Sequence, residues 1–469
     1  MPAEFDVAVI GAGVVGAAVA RALSKFALRT IILEAGPDVG TGTSKANTAI
    51  LHTGFDATPG SIEARLVARG YALMSAYADE VGIPVEKTGA CLIAWNEEEV
   101  AQLPLIEEKA AANRCVDLRR LSADDLYALE PQLGPGAHGG LLIPGEGILC
   151  PFTAPLAMAT EAVVNGVELR LHRRVVGVDS SASIHVLRVG PEAEAVATRW
   201  VVNAAGLHSD TVEELFGCHR FRVRPRRGEL IVYDKLARRL LNHVLLPVPT
   251  KKTKGVLVAP TVFGNVLLGP TATDIEDKDD RSTTREGLDF ILSKGARILP
   301  ALAGEEVTAT YAGLRAATES SDYQIHFDAA RRYLCLGGIR STGLSASLGI
   351  AEHALELLSG SLPLTPKGER KKVRMPAVGE NMTRPHEDAS LIARDPEYGR
   401  IVCHCEWVTA GEVRDALRSP VPARGLEGLR RRTRCLQGRC QGFYCLGRLV
   451  SILSRETGRP PAEFLEGLA

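Results

Sequence analysis

Nowhere in its 469 residues does the chain hold the run of ~18 apolar residues that a membrane-spanning helix needs. Its first residues, MPAEFDVAVIGAG, lack the basic stretch, apolar run and small-residue cleavage site of a secretory signal, so a cytoplasmic location is expected. An excess of either charge is also missing: 55 Lys and Arg stand against 56 Asp and Glu, a net of -1. That balance gives no reason to expect nucleic acid or an anionic membrane as the main partner, although peripheral membrane contact stays open. Internal repeats and low-complexity tracts are absent. What remains is globular composition, 45% hydrophobic and 24% charged. At ~150 residues per domain, the length predicts two or three domains.

Cysteine is sparse until the tail. Five of the ten fall between Cys403 and Cys445, and the other five are scattered before them. In a reducing cytoplasm such clustering points to metal or redox chemistry rather than disulfides. Cys91, Cys115, Cys150, Cys218 and Cys335 have no ligand-like spacing and are expected to pack as small apolar residues.

Along the chain, FDVAVI, GAGVVG, AAVARALSKFA and RTIILEAG read as strand, glycine turn, helix and strand. SIEARLVARGYALMSAYADEVG predicts a helix that ends near Gly82 and Pro84. Short strands are expected in GVELRLHRRVVGVDS, IHVLRVG, TRWVVNAAG, RGELIVYD, GVLVAPTVFGNVLLGPT and YLCLGGIR, then a helix in LSASLGIAEHALELLSG. The fold class is therefore α/β: a Rossmann-like nucleotide domain (1–85, 150–225 and 325–365) interrupted by a β-richer α+β domain (86–149 and 226–324). The Pro-rich, charged stretch 366–399 reads as a linker to a small C-terminal module, 400–469.

Gly11, Gly13 and Gly16 form a GxGxxG between strand and helix, and Glu34 closes the following strand. Gly11 makes the turn, Gly13 lets a pyrophosphate approach the backbone, Gly16 lets helix and strand pack, and Glu34 can accept from an adenosine ribose. A tight turn in some other α/β protein is the bland alternative; the strand–turn–helix–strand context argues against it. The motif alone does not choose between NAD and FAD. Asn203-Ala204-Ala205-Gly206 after a strand is similar to a second nucleotide-contacting segment of two-domain flavoproteins, which favours FAD. The glycine-rich turn before LSASLGIAEHAL would aim a helix N-terminus at the flavin and stabilise the charge of its reduced form. A capped helix packed on the sheet fits that segment equally well.

GTSKANTAILHTGFDATPGSIEARL, YAGLRA and GGIRSTGLSAS resemble the glycerol-3-phosphate and L-2-hydroxyglutarate dehydrogenase/oxidase branch of the D-amino-acid-oxidase-like flavoproteins, over residues 5–360. The resemblance implies FAD held also by Ala35, Thr43, Ser44, Val175, Ala205, Gly206, Gly338, Gly343 and Leu344. It implies a small anionic substrate, with His52 as the base for its hydroxyl proton and Arg315 as the clamp on its anion. Thr48, Lys254 and Ser341 are similar to substrate-neighbouring positions, and Arg340 is a competing anion contact. Lys254 sits with Lys251 and Lys252, so a solvated basic loop is the alternative there. Where the branch carries ANSG this chain has ANTA, so Ala49 stands in place of a glycine near the flavin.

In the tail, Cys403 and Cys405 form a C-x-C and Cys440 and Cys445 a C-x4-C. Four thiolates on two tight loops suit a 2Fe–2S cluster. Zinc is the alternative, though C-x-C is less usual for it than C-x2-C. EWVTAGEVRDAL predicts a helix capped by Thr409 with Glu412 three residues on. The tail resembles the bacterioferritin-associated-ferredoxin type of extension found on anaerobic-type glycerol-3-phosphate dehydrogenases. The resemblance as a whole implies oxidation of sn-glycerol 3-phosphate, with electrons leaving through the cluster to partner subunits, a quinone or another carrier. L-2-hydroxyglutarate or another 2-hydroxy or imino acid is the near rival. A non-catalytic flavin and iron–sulfur electron-transfer subunit is the rival of another class. Cys435 is set aside: a buried apolar position is expected, with an alternative ligand or a redox-sensitive thiol as the other readings.

Overall fold

The strand Phe5–Ile10 is buried at every position but Asp6, a continuous apolar run rather than an alternating one. Such a run needs cover on both faces, and parallel neighbours on each edge provide its pairing. In the computed structural model, which describes residues 4–181, 183–249 and 255–465, it pairs in parallel with Thr30–Leu33 and with Glu194–Asn203. Glu168–Arg170 extends the sheet beyond Thr30–Leu33, also in parallel. Tyr333–Gly337 pairs in parallel with the end of Glu194–Asn203, and His185–Val189 runs antiparallel to its start. The helices Val14–Leu23, Ile62–Val81, Thr153–Val164 and Gly343–Ser359 pack against one another over this sheet. Ser61 caps Ile62–Val81 by accepting from Ala64 N, and Gly82 closes it in a left-handed conformation.

The second sheet is built on Arg224–Tyr233 and Val307–Ala317, paired antiparallel over almost their whole length. Ala90–Ala94, Val244–Pro247, Leu257–Pro260 and Val266–Gly269 belong to the same sheet. Alternation sorts its side chains. Cys91, Ile93, Leu245, Val258 and Leu268 join a core covered by the helix Arg285–Ile298. Leu92, Leu246, Leu257, Gly228 and Leu230 turn instead to a cavity shared with the first sheet. One strand departs from the expected division: Gly147–Leu149, read as part of the β-rich domain, pairs with Ile50–Leu51 and Val85–Glu86 in a small sheet of its own.

In the tail, Ala410–Arg418, Leu426–Thr433 and Leu446–Thr457 enclose an apolar core of Val413, Leu429, Leu449 and Leu453. The linker carries only one short α-helix, Ala389–Arg394, among its described residues. It nevertheless lies against the body, with Met375 N donating to Val81 O and Arg384 buried beside Glu412.

Candidate active site and cluster site

The parallel strands of the first sheet end at Gly11, Glu34, Ala204 and Gly338, the edge where open α/β sheets bind ligands. A cavity of about 930 Å³ opens there and is lined from both sheets. At its nucleotide end Gly11 has φ 102°, and a Cβ there would lie 2.6 Å from Ala204 O. A Cβ on Gly16 would lie 2.0 Å from Gly11 O, so Gly16 serves packing and does not line the cavity. Gly13 does line it, meeting only Ser44 Oγ at 3.3 Å. Glu34 accepts from Ala12 N at 2.6 Å and from Gly36 N at 2.7 Å, which ties the acid to the glycine turn.

Ala35, Thr43, Ser44, Val175, Ala205, Gly206, Gly343 and Leu344 line the same cavity. Gly338 does not: it turns at φ 62° with Gln324 beside it. Lys254 lies outside the described residues. The N-cap residues Gly13 and Thr342 make no side-chain cap, and although Val14 N donates to Ser44 Oγ at 2.9 Å, two helix N-termini lie near the cavity. The cavity falls within the 300–1,000 Å³ usual for a cofactor. This cradle fits FAD.

The other end of the cavity holds Thr48, His52, Arg315, Arg340 and Ser341. His52 donates its backbone N–H to Ser345 Oγ at 2.8 Å, and its Nδ1 lies 3.0 Å from Glu146 Oε2. Arg315 donates to Thr271 O at 3.3 and 3.4 Å and meets no carboxylate among the described residues. Its cross-strand neighbour Arg226 does, in a two-point pair with Asp274. Burial first, and Arg226 second, bring the Arg315 guanidinium down to about 10, so it stays charged at neutral pH. Arg340 is engaged by Ser321 O. The sequence reading missed Glu146, Arg226 and Ser345. Only for Arg226 is there a local signal, strand alternation.

In the tail, the thiols of Cys403 and Cys445 contact each other, as do those of Cys405 and Cys440. Contact with Cys445 and burial push Cys403 up. Burial opposes ionisation of Cys440, yet the N–H groups of Tyr444 and Gly442 and the Cys405 thiol bring it below the ordinary thiol value. Leu436 N–H faces both Cys403 and Cys445. Trp407, Leu436 and Gln441 take positive φ in these loops, the conformation that turns successive N–H groups towards one centre. Among the described residues no three His, Cys, Asp or Glu side chains gather as a single ion would require. Two thiol pairs ringed by N–H donors fit a cluster of two irons, each taking two thiolates. Cys435 is fully buried in the module's core, and burial pushes its thiol up to about 12.

The module is seated on the nucleotide domain through buried charge. Asp38, in the loop after Glu34, accepts from Arg431 at 2.7 Å and from Arg432 at 2.6 and 2.8 Å. Burial would raise its carboxyl, but the two guanidiniums hold it below the ordinary range. The module also meets the β-richer domain, where Arg434 lies over the Phe263 ring at 3.9 Å, Arg439 pairs with Asp234, and Lys235 reaches Glu406.

A dinucleotide cradle joined to a sheet-walled cavity defines a flavoenzyme class. The family model described as FAD dependent oxidoreductase matches residues 6–357, and the chain belongs to that family. A BFD-like [2Fe-2S] binding domain matches residues 401–455, so the chain is an FAD-dependent oxidoreductase with an iron–sulfur domain. Within the family it is similar to a glycerol 3-phosphate dehydrogenase of Caloramator mitchellensis, 34% identical over 97% of this chain and 95% of that one. It is also similar to one of the subunits of the anaerobic glycerol-3-phosphate dehydrogenase of Escherichia coli K12, 27% identical over 99% of this chain and 90% of that one. Among solved structures it resembles the FAD-bound L-alpha-glycerophosphate oxidase of Mycoplasma pneumoniae, with a TM-score of 0.75 and 28% identity, covering 79% of this chain and 99% of that one.

Proposed function

We propose that the protein is a dehydrogenase oxidising sn-glycerol 3-phosphate to dihydroxyacetone phosphate. The observation that carries the reading is the presence, in one cavity, of His52 and of Arg315, a guanidinium with no carboxylate partner among the described residues. The relatives that span nearly the whole chain, tail included, support this substrate. Arg315 would bind the phosphate by its two N–H edges, with Thr48, Ser341 and Arg340 as further polar contacts. His52, with Nδ1 turned to Glu146, presents Nε2 to the substrate hydroxyl and takes its proton. Bound FAD supplies the hydride acceptor, and a bound 2Fe–2S cluster supplies a one-electron outlet.

The second sheet's apolar wall, Leu92, Leu230, Leu246 and Leu257, excludes water from the reacting carbon. Cys405 and Cys440 are the less buried of the four thiols, so electrons would leave on their side, towards a partner protein or a quinone. Anaerobic mixing of the holoenzyme with sn-glycerol 3-phosphate should bleach the flavin, and L-2-hydroxyglutarate should not. Bleaching by the hydroxy acid alone would overturn the substrate assignment.

A further inference from the structure

The strands Ile50–Leu51 and Gly147–Leu149 are paired antiparallel, with Ile50 opposite Ile148 and Leu51 opposite Gly147. Continuing that register by one residue brings Glu146 opposite His52. The match is made although 94 residues separate the two. Glu146 is fully buried, and its position is set from several sides. Its Oε1 accepts from Thr53 N at 2.7 Å and from Thr53 Oγ1 at 2.8 Å. The turn that carries it is held by Tyr71, whose hydroxyl donates to Gly145 O at 2.7 Å. Its Oε2 is left to His52 Nδ1 at 3.0 Å.

A buried carboxylate costs a great deal unless it is used, and the two bonds from Thr53 would be served equally by a neutral amide. The bond to His52 would not. We propose that Glu146 is the positioning residue of His52: it fixes the Nδ1–H tautomer, so that Nε2 carries a lone pair into the cavity. When the substrate hydroxyl proton moves to Nε2, the ring becomes a cation with N–H on both nitrogens, and the Glu146 carboxylate balances that charge. The hydride leaves for the flavin, so proton and electron pair are both accounted for. Tyr71 and Cys115 are ionisable groups that feel the Glu146 charge; burial first, and Glu146 after it, pushes the Tyr71 hydroxyl up. Neither supplies a positive charge, and among the described residues the ion-pair partner of Glu146 is His52, at 3.0 Å.

The inference rests on His52 acting as base in the proposed function, and its test separates the two. In uniformly ¹⁵N-histidine-labelled protein, long-range ¹H–¹⁵N spectra assigned with H52A should show His52 in the Nδ1–H tautomer in the wild type. E146Q should lose that single tautomer. In anaerobic stopped flow with sn-glycerol 3-phosphate, E146Q should reduce the flavin about 100-fold more slowly with substrate affinity changed less than about 3-fold, in line with a misplaced general base. Placed on H52A, the same change should have no further effect, because the carboxylate acts only through the histidine. Equal rates for E146Q and wild type, an additive loss on H52A, or an Nε2–H tautomer in the wild type would each overturn the proposal. If E146Q does not retain FAD, the wild-type tautomer together with E146D decides: a slowed but FAD-loaded E146D supports it, an unslowed one overturns it. Wild-type flavin that sn-glycerol 3-phosphate fails to bleach would count against the substrate reading, while the tautomer would still test Glu146.

Discussion

Ala49 holds a left-handed backbone at φ 57° while almost fully buried, just ahead of the strand that leads to His52. Left-handed geometry costs a residue with a Cβ about 1–2 kcal/mol, of which about 0.4–1 is returned through the stiffer unfolded chain. A49G should therefore stabilise the protein by about 0.5–1 kcal/mol, read from its denaturant midpoint, with His52 unmoved. Arg315 offers a sharper result. Charged hydrogen bonds to an anion are worth ~1.5–3 kcal/mol, so R315A should raise the KM for sn-glycerol 3-phosphate by about 10- to 100-fold, measured in steady state. His52 and Arg315 were legible because each sits in a short motif whose spacing survives in one dimension. Glu146 was not, because its partner is set by strand register across distant segments, and register leaves no local mark on GEG. Gly338 was misplaced for a related reason: a glycine-rich turn announces itself, but which of its glycines faces the ligand is decided by the neighbouring strand.

Between elements, the seat of the tail module depends on the loop that follows Glu34. Gly40 N donates to Ala12 O, so the loop holding Asp38 also braces the dinucleotide turn. Asp38 and its two arginines are nearly inaccessible, and removing one member of such a group typically costs ~3–5 kcal/mol. D38N should accordingly loosen the helix Leu426–Thr433, seen as faster amide exchange there, with the core of the first sheet unchanged. The pH dependence has a definite sign. Asp38 is depressed in the folded state, so its contribution is complete above the ordinary carboxyl value of 3.8 and is lost as pH falls through the lower folded value. Exchange in that helix, corrected for its intrinsic pH dependence, should be flat from neutral pH down to about 5 and rise in acid. Caps and breakers made some elements readable in advance: Gly82 at the end of one helix, Thr409 with Glu412 at the start of another. The docking was not readable, since LRRRTR carries no sign of which arginines are buried until a partner surface exists. The strand Gly147–Leu149, expected within the β-richer domain, pairs instead with Ile50–Leu51 and Val85–Glu86, because three residues carry too little pattern to choose a sheet.

At the scale of the molecule, two sheets enclose one cavity, and a third unit carries four thiols that face one another in pairs, with Cys435 apart in its core. The division of labour predicts that these can be uncoupled. C440S, or C445S, should leave flavin bleaching by substrate within about 2-fold of wild type while abolishing reduction of one-electron acceptors, because the serine hydroxyl is a poor ligand for iron and the substrate cavity is untouched. That a flavin unit precedes a cluster-binding tail was evident from the glycine turn and the cysteine spacing, whereas the buried charge that fastens the tail to the nucleotide loop emerges only on folding. The proposed mechanism stands on the passage of substrate electrons through the flavin to the tail. Anaerobic addition of sn-glycerol 3-phosphate to protein holding both FAD and the cluster, followed by freezing and electron paramagnetic resonance, tests it most directly. The flavin should bleach, and the signal of a reduced 2Fe–2S centre should appear with it. A fully bleached flavin beside a cluster that stays oxidised, yet is reducible by dithionite, would contradict it.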